Sequence, residues 1–192
     1  MKQFTPNNSF NVMDNDGPII FIPTRIEDNR GFFIKDYSKE VFQNAIPNIH
    51  ILETFYSFSK KNVFRGFHFQ YKVPQLKIVT CIKGRVIDFA IDLRKSSLNF
   101  KKVYSIELNQ DNNYSFIIPK GFAHGFLALS DSIVLYKCDE PYNKEFDSGI
   151  IYNDKDFNLD FSRFGIREED LIISTRDLSF KTLRNSFNLL DF

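Results

Sequence analysis

Alternation of apolar and polar residues is clearest in the segment RVIDFAIDLR, residues 85–94. This two-residue repeat predicts a strand with one buried face and one wet face. The apolar run QLKIVTCI precedes it across Lys83-Gly84, a pair typical of tight turns, so residues 75–94 are predicted to form a β-hairpin. The two faces of the strand are formed by Ile87, Phe89, Ile91 and Leu93 on one side, and by Asp88, Ala90, Asp92 and Arg94 on the other.

Much of the remaining chain repeats this pattern of short strand-like runs between turn residues. VYSIELN (103–109) alternates in the same way. Residues 114–140 predict three further strands, interrupted by turn residues at 119–121 and 130–132. In all, roughly ten strands are predicted.

Helical periodicity is weak by comparison. The best helix candidate is SKEVFQNA (38–45), with Ser38 as its predicted N-cap, and a second short helix is predicted after residues 167–170. Many short strands and few helices indicate an all-β sandwich or jelly roll. Because no internal repeat or linker is present, residues 1–192 are predicted to form one domain, with the apolar stretch after Asp177 packed on the barrel.

Composition changes this picture mainly through phenylalanine. The chain has 192 residues, of which 43% are hydrophobic and 26% charged, as is typical of a folded soluble protein. It contains 23 phenylalanines and no tryptophan, which predicts a core of packed aromatic rings. The formal net charge is +1 without a basic stripe, which argues against nucleic-acid binding and leaves small anions as candidate ligands.

Targeting segments and disulfides are not evident in the sequence. The first twenty residues contain no apolar signal-peptide core, and nowhere do about eighteen apolar residues follow one another, so neither secretion nor membrane insertion is predicted. The expected location is therefore the cytoplasm. Cys81 and Cys138 belong to no CxxC pair, and we expect both to be reduced and buried.

Polar side chains inside the predicted strands are the candidates for chemistry, because each needs a partner or a purpose when buried. Taken singly, each has an ordinary structural explanation, such as a hydrogen-bonded core histidine, a lysine that reaches the surface or a tyrosine whose hydroxyl finds a partner. The candidates are Arg65, His68 and Gln70 in RGFHFQ, Lys77 in the next strand, His124 in GFAHGF, Tyr136 and Tyr142 in LYKCDEPYNKEF, and Asp177 in ISTRD.

Metal binding has little support in the spacing of these residues. The chain has three histidines, and His68 is followed by Phe69-Gln70 where an H-x-H metal motif would have its second histidine. Two well-placed imidazoles are too few for zinc or iron, so no catalytic metal is predicted. The sequence also lacks a G-x-S-x-G elbow, a phosphate-binding loop and a dinucleotide fingerprint.

A series of longer motifs carries a family resemblance. In order, they are RGFF from Arg30, RGFHFQ, Gln75-x-Lys77, KGRVIDFAIDLRKSS, IPKGFAHGFLALSD, YKCDEPY and GIIYNDKDFNLDF. Over about residues 18–180 the chain resembles the dTDP-4-dehydrorhamnose 3,5-epimerase family. The resemblance implies a cupin-like double-stranded β-helix, or jelly roll, with a few short helices mostly at the C-terminus. It also implies a homodimer that exchanges N-terminal strand contacts, a nucleotide-sugar substrate, and no metal or organic cofactor.

The resemblance further implies roles for the candidate residues. His68 matches the general base, and Asp177 matches the aspartate that orients it. Lys77 matches a lysine beside the sugar ketone, and Tyr136 matches the general acid on the opposite face. The predicted substrate-binding residues are Arg65 and His124 near the sugar and diphosphate, Tyr142 near the nucleobase, Arg30 from the neighbouring subunit, and Phe33, Lys35 and Gln70.

These residue types suit the chemistry of a 4-keto sugar. C3 and C5 both lie next to the C4 carbonyl, so their protons are acidified through a shared enolate and one base can serve both carbons. A neutral imidazole can accept such a proton near neutral pH, and a buried aspartate on its other nitrogen fixes the tautomer. An ammonium group stabilises the charge on the C4 oxygen, and a phenol on the far face returns the proton with inverted configuration.

The spacing of Arg65 and His68 poses a geometric problem. Residues three apart in a regular strand point to opposite faces. Both can reach one cavity only if the strand twists or bulges, and we predict that this happens at Gly66.

Two places in the chain depart from the family pattern. Lys35 stands where the family usually has an acidic residue, and Glu53-Thr54-Phe55 replaces a Q-x-N sequence. An acidic residue can accept the N3–H of thymine, whereas an ammonium suits the acceptor of cytosine, so a CDP-linked sugar competes with a dTDP-linked sugar as the substrate. The sequence is also compatible with inversion at one carbon only, with a sugar ketoisomerase on the same fold, and with a non-catalytic sugar-binding cupin.

Overall fold

A computed structural model of the chain describes residues 8–190 and residue 192. Residues 1–7 and 191 belong to the predicted domain 1–192, and residues 1–7 also belong to the segment considered as a signal peptide. That part of both predictions lies outside the described residues. Where the chain is described, no helix is long and apolar enough to cross a membrane.

The described chain is built mainly from strands, which number thirteen against the roughly ten predicted. The strands are β1 (Ser9–Val12), β2 (Ile19–Ile22), β3 (Arg25–Asp28), β4 (Gly31–Ile34), β5 (Glu53–Ser59), β6 (Phe64–Gln70), β7 (Lys77–Lys83), β8 (Arg85–Asp92), β9 (Val103–Asn109), β10 (Ser115–Ile118), β11 (Phe122–Ala128), β12 (Ser132–Cys138) and β13 (Asp147–Gly149). The helices are α1 (Lys39–Ala45), α2 (Thr175–Leu178) and α3 (Leu183–Ser186), with 3-10 turns at Phe161–Phe164, Glu168–Asp170 and Phe187–Leu189.

Two antiparallel sheets form the body of the molecule. The six-stranded sheet has the order β1-β2-β10-β7-β12-β5, and the five-stranded sheet has the order β13-β6-β11-β8-β9. Strands β3 and β4 form a separate two-stranded ribbon. This arrangement confirms the predicted all-β class, and the short helices lie mostly near the C-terminus, as expected.

The predicted hairpin over residues 75–94 is wrong. Strand β7 pairs with β10 and β12, whereas β8 pairs with β9 and β11 in the opposite sheet. Gly84, with a φ of 79°, turns the chain from one sheet into the other, and a Cβ there would lie 2.3 Å from the carbonyl oxygen of Asp131. A hairpin and a corner between sheets both use such a glycine, so the local sequence does not distinguish them.

The predicted wet face of β8 is also wrong. Asp88 and Asp92 are fully buried because their face of the strand points into the space between the two sheets. The opposite face is buried too, since the C-terminal part of the chain covers it. The alternation therefore separates two buried environments rather than core and solvent.

Aromatic packing fills the core, as the composition predicts. Seven of the twelve largest fully buried side chains are phenylalanines. On the outer face of the five-stranded sheet, Phe67 and Phe89 pack in one cluster with Leu183 and Leu190, which confirms that the C-terminal stretch docks on the barrel. Burying such side chains contributes about 1.5–3 kcal/mol each to folding.

The smaller predictions about local structure have mixed outcomes. Helix α1 lies where the pattern places it, and Ser38 is its N-cap residue as predicted, although the Ser38 side chain makes no capping hydrogen bond. The helix is held instead by the buried ring of Phe42, which contacts Phe21 of the six-stranded sheet at 4.7 Å between ring centroids. Cys81 and Cys138 are free and buried as predicted, and burial raises the pKa of each thiol to about 11.

Candidate active site

A cavity of about 420 Å³ opens between the inner faces of the two sheets. It forms because several inward positions carry polar side chains in place of the apolar residues that fill the rest of the barrel. Six of the residues predicted from sequence line it together: Arg65, His68, Lys77, His124, Tyr136 and Tyr142.

Arg65 and His68 reach this cavity together because β6 is irregular at Gly66. The backbone of Gly66 has a φ of 141°, and the pairing of β6 with β11 shifts register between His124 and Phe126. The predicted irregularity at Gly66 is confirmed, and it removes the conflict with strand parity.

We expect Gly66→Ala to destabilise the fold at this irregularity. A Cβ at position 66 would lie 2.6 Å from the Cα of Gly125, and its φ is strained for an alanine. The expected loss is about 1–3 kcal/mol in the free energy of unfolding, measured by denaturant titration.

The matched control for this prediction is Gly165→Ala. Gly165 also has a positive φ, 73°, but a Cβ there meets nothing within 4 Å. The difference between the two variants measures the clash with Gly125 together with the greater strain of an alanine at a φ of 141°. Equal losses of stability in the two variants would contradict the steric argument.

The imidazole of His68 is paired with a buried carboxylate. Its Nε2 lies 3.0 Å from Oδ1 of Asp177, in the first turn of α2, and Oδ2 of Asp177 accepts the backbone N–H of Gly66 at 3.2 Å. Burial raises the pKa of Asp177, but the hydrogen bonds and the charge of His68 outweigh burial and hold that pKa below its usual value. With Asp177 ionised and bound to Nε2–H, the basic atom of neutral His68 is Nδ1.

Lys77 is one of three basic side chains that line the cavity, with Arg65 and Arg176. It begins β7, and its backbone pairs with Cys138 of β12. Burial lowers the pKa of the ammonium, while the carboxyl groups of Asp147 and Asp88 oppose that effect. An ammonium in such a dry site interacts strongly with an oxyanion.

Tyr136 is held rigidly between two aromatic rings. The ring of Phe55 stacks on it at 4.7 Å with an interplanar angle of 13°, and the imidazole of His124 meets it edge-on at 5.8 Å. Burial raises the pKa of the phenol strongly, so the hydroxyl stays protonated and can act as a proton donor.

The cavity also contains residues that the sequence analysis did not single out. At its mouth, Asp147 accepts hydrogen bonds from the hydroxyl of Tyr142 at 2.9 Å and from Arg176 at 2.5 Å. A two-residue repeat on β5 places Glu53, Phe55 and Ser57 on one side of that strand, and this parity could have identified them. The lining residues that were not named individually are Ser57, Phe126, Asp147 and Arg176, whereas Glu53 and Phe55 were named only as a departure from the family pattern and Gln75 only as part of a motif.

Four predicted binding residues do not line the cavity of the same chain. Arg30 and Phe33 are exposed on the β3–β4 ribbon, where Arg30 pairs with Asp28, and Lys35 is exposed just beyond it. Gln70 is buried beside the cavity, and its amide is used within the chain: it donates to the carbonyl of Val73 and accepts the N–H of Asn143. No group of three or more acidic, histidine or cysteine side chains in the described residues is arranged to hold a metal ion.

Comparison with known proteins agrees with this geometry. The model of a family described as dTDP-4-dehydrorhamnose 3,5-epimerase matches residues 13–185. An epimerase of that name from Methanothermobacter thermautotrophicus is 42% identical over 172 residues, which are 89% of this chain and 92% of the relative. The Escherichia coli K12 protein of the same name is 38% identical over 168 residues, covering 86% of this chain and 89% of the relative.

Solved structures give the same result. The Elizabethkingia anophelis dTDP-4-dehydrorhamnose 3,5-epimerase superposes with a TM-score of 0.84 at 36% identity, covering 93% of this chain and 97% of that one. A dTDP-6-deoxy-D-glucose-3,5-epimerase from Legionella pneumophila, in complex with dTDP-4-keto-L-rhamnose, gives a TM-score of 0.89 at 30% identity, covering 96% and 97%.

The fold and the cavity define a cupin-type jelly roll with paired acid and base side chains around one cleft, an arrangement typical of enzymes that transfer protons. Such an enzyme can act as an isomerase without a net change in its substrate's composition. The chain belongs to the dTDP-4-dehydrorhamnose 3,5-epimerase family, whose members are isomerases acting on nucleotide sugars.

Proposed function

We propose that the protein inverts C3, C5 or both carbons of a dTDP-linked 4-keto-6-deoxysugar by proton abstraction and reprotonation. The observation that carries this proposal is that His68, Lys77 and Tyr136 line a single cavity. A base, a cation and a protonated phenol around one cleft are the groups that such an inversion needs.

In the proposed mechanism, the bare Nδ1 of His68 removes a proton from the carbon next to the ketone. Asp177 stabilises the imidazolium that forms, as the hydrogen bond to Nε2 allows. The electron pair moves onto the C4 oxygen as an enolate, and the Lys77 ammonium stabilises that charge. Tyr136 then protonates the carbon from the opposite face, which inverts its configuration.

Substrate binding is assigned to the remaining polar residues of the cleft. Arg65 and His124 are proposed to bind the sugar and diphosphate, and Tyr142 at the mouth is proposed to contact the nucleobase. Gln70 is proposed to act by fixing the neighbouring loop, since it accepts the N–H of Asn143 at 2.6 Å.

A homodimer of single-domain chains completes the proposal. Arg30, Phe33 and Lys35 are exposed and lie outside the cavity of their own chain, so they can act only on the cavity of a second copy. Large exposed apolar residues on the β3–β4 ribbon and on β5 suit such an interface. They are Ile26, Phe32, Phe33, Phe55, Tyr56 and Phe58.

The nucleotide is proposed to be dTDP, because the relatives named above are dTDP-sugar enzymes. The CDP-linked alternative depends on Lys35 alone. We expect faster deuterium incorporation from D₂O into a dTDP-linked 4-keto-6-deoxyhexose than into its CDP-linked counterpart, measured by mass spectrometry. NMR ring couplings then report which carbons invert. Preference for the CDP sugar would overturn the dTDP assignment, a moved carbonyl would indicate a ketoisomerase, and no exchange with any keto sugar would indicate a binding protein.

A further inference from the structure

Two histidine–aspartate pairs face the same cavity, and their carboxylates differ in one respect. In the first pair, both oxygens of Asp177 have hydrogen-bond donors, His68 Nε2 and the Gly66 N–H. In the second pair, Oδ1 of Asp88 lies 2.7 Å from Nε2 of His124. Oδ2 of Asp88 is buried and meets no donor among the described residues.

The missing donor and the burial of both partners disfavour a net charge on the second pair. A buried carboxylate without a full set of donors is costly as an anion. Asp88 has no exposed surface, and burial raises its pKa, while burial lowers the pKa of His124. Both effects oppose a net charge on the pair, so its favoured state is neutral overall.

If the pair has no net charge, a hydrogen is expected on Nδ1 of His124, the ring nitrogen that does not face Asp88. Such a pair holds one proton between Oδ1 and Nε2 and a second proton on Nδ1 of His124. Nδ1 keeps its hydrogen whether the shared proton resides on Asp88 or on His124. Nδ1 would be bare in a pair with a net charge of −1, which is the state in which the first pair makes His68 a base. It would also be bare in a neutral pair with the carboxyl proton on Oδ2, but no partner among the described residues would accept a hydrogen bond from that proton.

Other ionisable groups around His124 also act on the charge of the pair. His124 on β11 faces Asp88 from β8, Lys77 from β7, Tyr136 from β12 and His68 from β6. Lys77 and His68 both disfavour a cation on His124, and the charge of Lys77 also lowers the pKa of Asp88. Tyr136 stays neutral because burial raises its pKa. Lys77 thus favours an ionised Asp88, and the neutral state of the pair is argued from the burial of both partners and from the unpartnered Oδ2.

We propose that Asp88 is a positioning residue, which orients His124 so that its Nδ1–H donates a hydrogen bond to an oxygen of the substrate. The Nδ1 of His68, by contrast, carries no hydrogen and accepts a proton. The acceptor is a carbonyl or phosphate oxygen, and only this identity rests on the proposed function. The cavity then presents one imidazole that accepts a proton and one that donates a hydrogen bond.

The direct test is the protonation state of the three histidines in the unliganded, wild-type protein. Two-bond ¹H–¹⁵N correlation spectra of ¹⁵N-histidine-labelled protein distinguish protonated from bare ring nitrogens. Signals are assigned with His50→Gln, an exposed position, and His68→Asn. We expect Nδ1 of His124 to be protonated and Nδ1 of His68 to be bare at pH 7.5. A neutral His124 that is protonated on Nε2 and bare on Nδ1 would overturn the proposal.

Ligand titration in the same spectra identifies the acceptor. A change in the His124 Nδ1–H signal on adding dTDP alone indicates a phosphate oxygen, and a change that needs the dTDP-linked keto sugar indicates the ketone. No change with either ligand would contradict the donor role. These spectra do not depend on turnover. If the protein exchanged no deuterium, the proposed function would be wrong, but the measured proton positions on His124 would still test this inference.

A variant pair extends the test to activity. Asp88→Leu removes the partner of Nε2, so we expect His124 to populate both tautomers and kcat to fall about 100-fold, with the His68 signals unchanged. The matched control is Asp92→Asn on the same strand, where a buried carboxylate pairs with Arg94 outside the cavity. It should lower the melting temperature without altering kcat. An Asp88→Leu enzyme with wild-type kcat would contradict the positioning role.

Discussion

Replacing His68 by alanine is expected to lower kcat by about 10²–10⁴-fold while the protein still binds the nucleotide sugar. The reason is that Nδ1 of His68 is the basic atom of the His68–Asp177 pair, whose two carboxylate oxygens are both hydrogen-bonded. Steady-state turnover and deuterium wash-in from D₂O should fall together, because abstraction is the step that is lost. His50→Ala, at an exposed position, is the control.

Asp177→Asn tests the same pair by changing the carboxylate instead of the imidazole. An asparagine can donate to Nε2 and so stabilise the tautomer in which Nδ1 carries the hydrogen, which removes the base without removing the imidazole. A loss of about 10²–10⁴-fold in kcat is expected here as well. If His68→Ala and Asp177→Asn both turned over like the wild type, the pair would not be the base.

The second large effect is expected for Tyr136→Phe. Removing the hydroxyl leaves the His68 base in place, so deuterium should still enter the substrate from D₂O. Reprotonation from the opposite face is lost, and we expect epimer formation to slow by about 10²–10⁴-fold. Mass spectrometry follows the exchange, and NMR ring couplings follow the inversion in the same samples.

The control for this variant is Tyr152→Phe. The hydroxyl of Tyr152 donates a hydrogen bond to Glu168 on the outer side of the five-stranded sheet, away from the cavity. It should leave both rates unchanged. If Tyr136→Phe slowed exchange and inversion equally, the phenol would act in abstraction, and its assignment as the acid on the far face would be wrong.

Local patterns predicted the strands well but not their partners. The runs at 103–109 and 114–140 lie in β9 to β12 as expected, because alternation and turn residues are properties of the nearby sequence. The hairpin at 75–94 failed because β7 and β8 pair with strands that are distant in sequence. Which strands pair is decided by long-range packing, which a local window does not contain.

The residues of the candidate site were likewise predicted where local motifs carry them and missed where long-range packing decides their position. Motifs located the residues from Arg65 to Tyr142 that line the cavity, and parity together with Gly66 anticipated the irregular strand. Asp88 was missed because an acidic residue in an alternating strand was interpreted as solvent-facing. Its burial depends on the second sheet, which is not visible in the alternation of β8.

The carboxylate that pairs with His68 lies in the segment that follows the last strand. All thirteen strands end by Gly149, whereas Asp177 follows in a segment bridged to the sheet region at Val63–Ile172 and Ile150–Lys181. During synthesis, a ribosome-bound chain can therefore complete both sheets before His68 acquires its carboxylate partner, Asp177. Under the proposed mechanism, activity therefore reports that the segment carrying Asp177 has docked on the sheets.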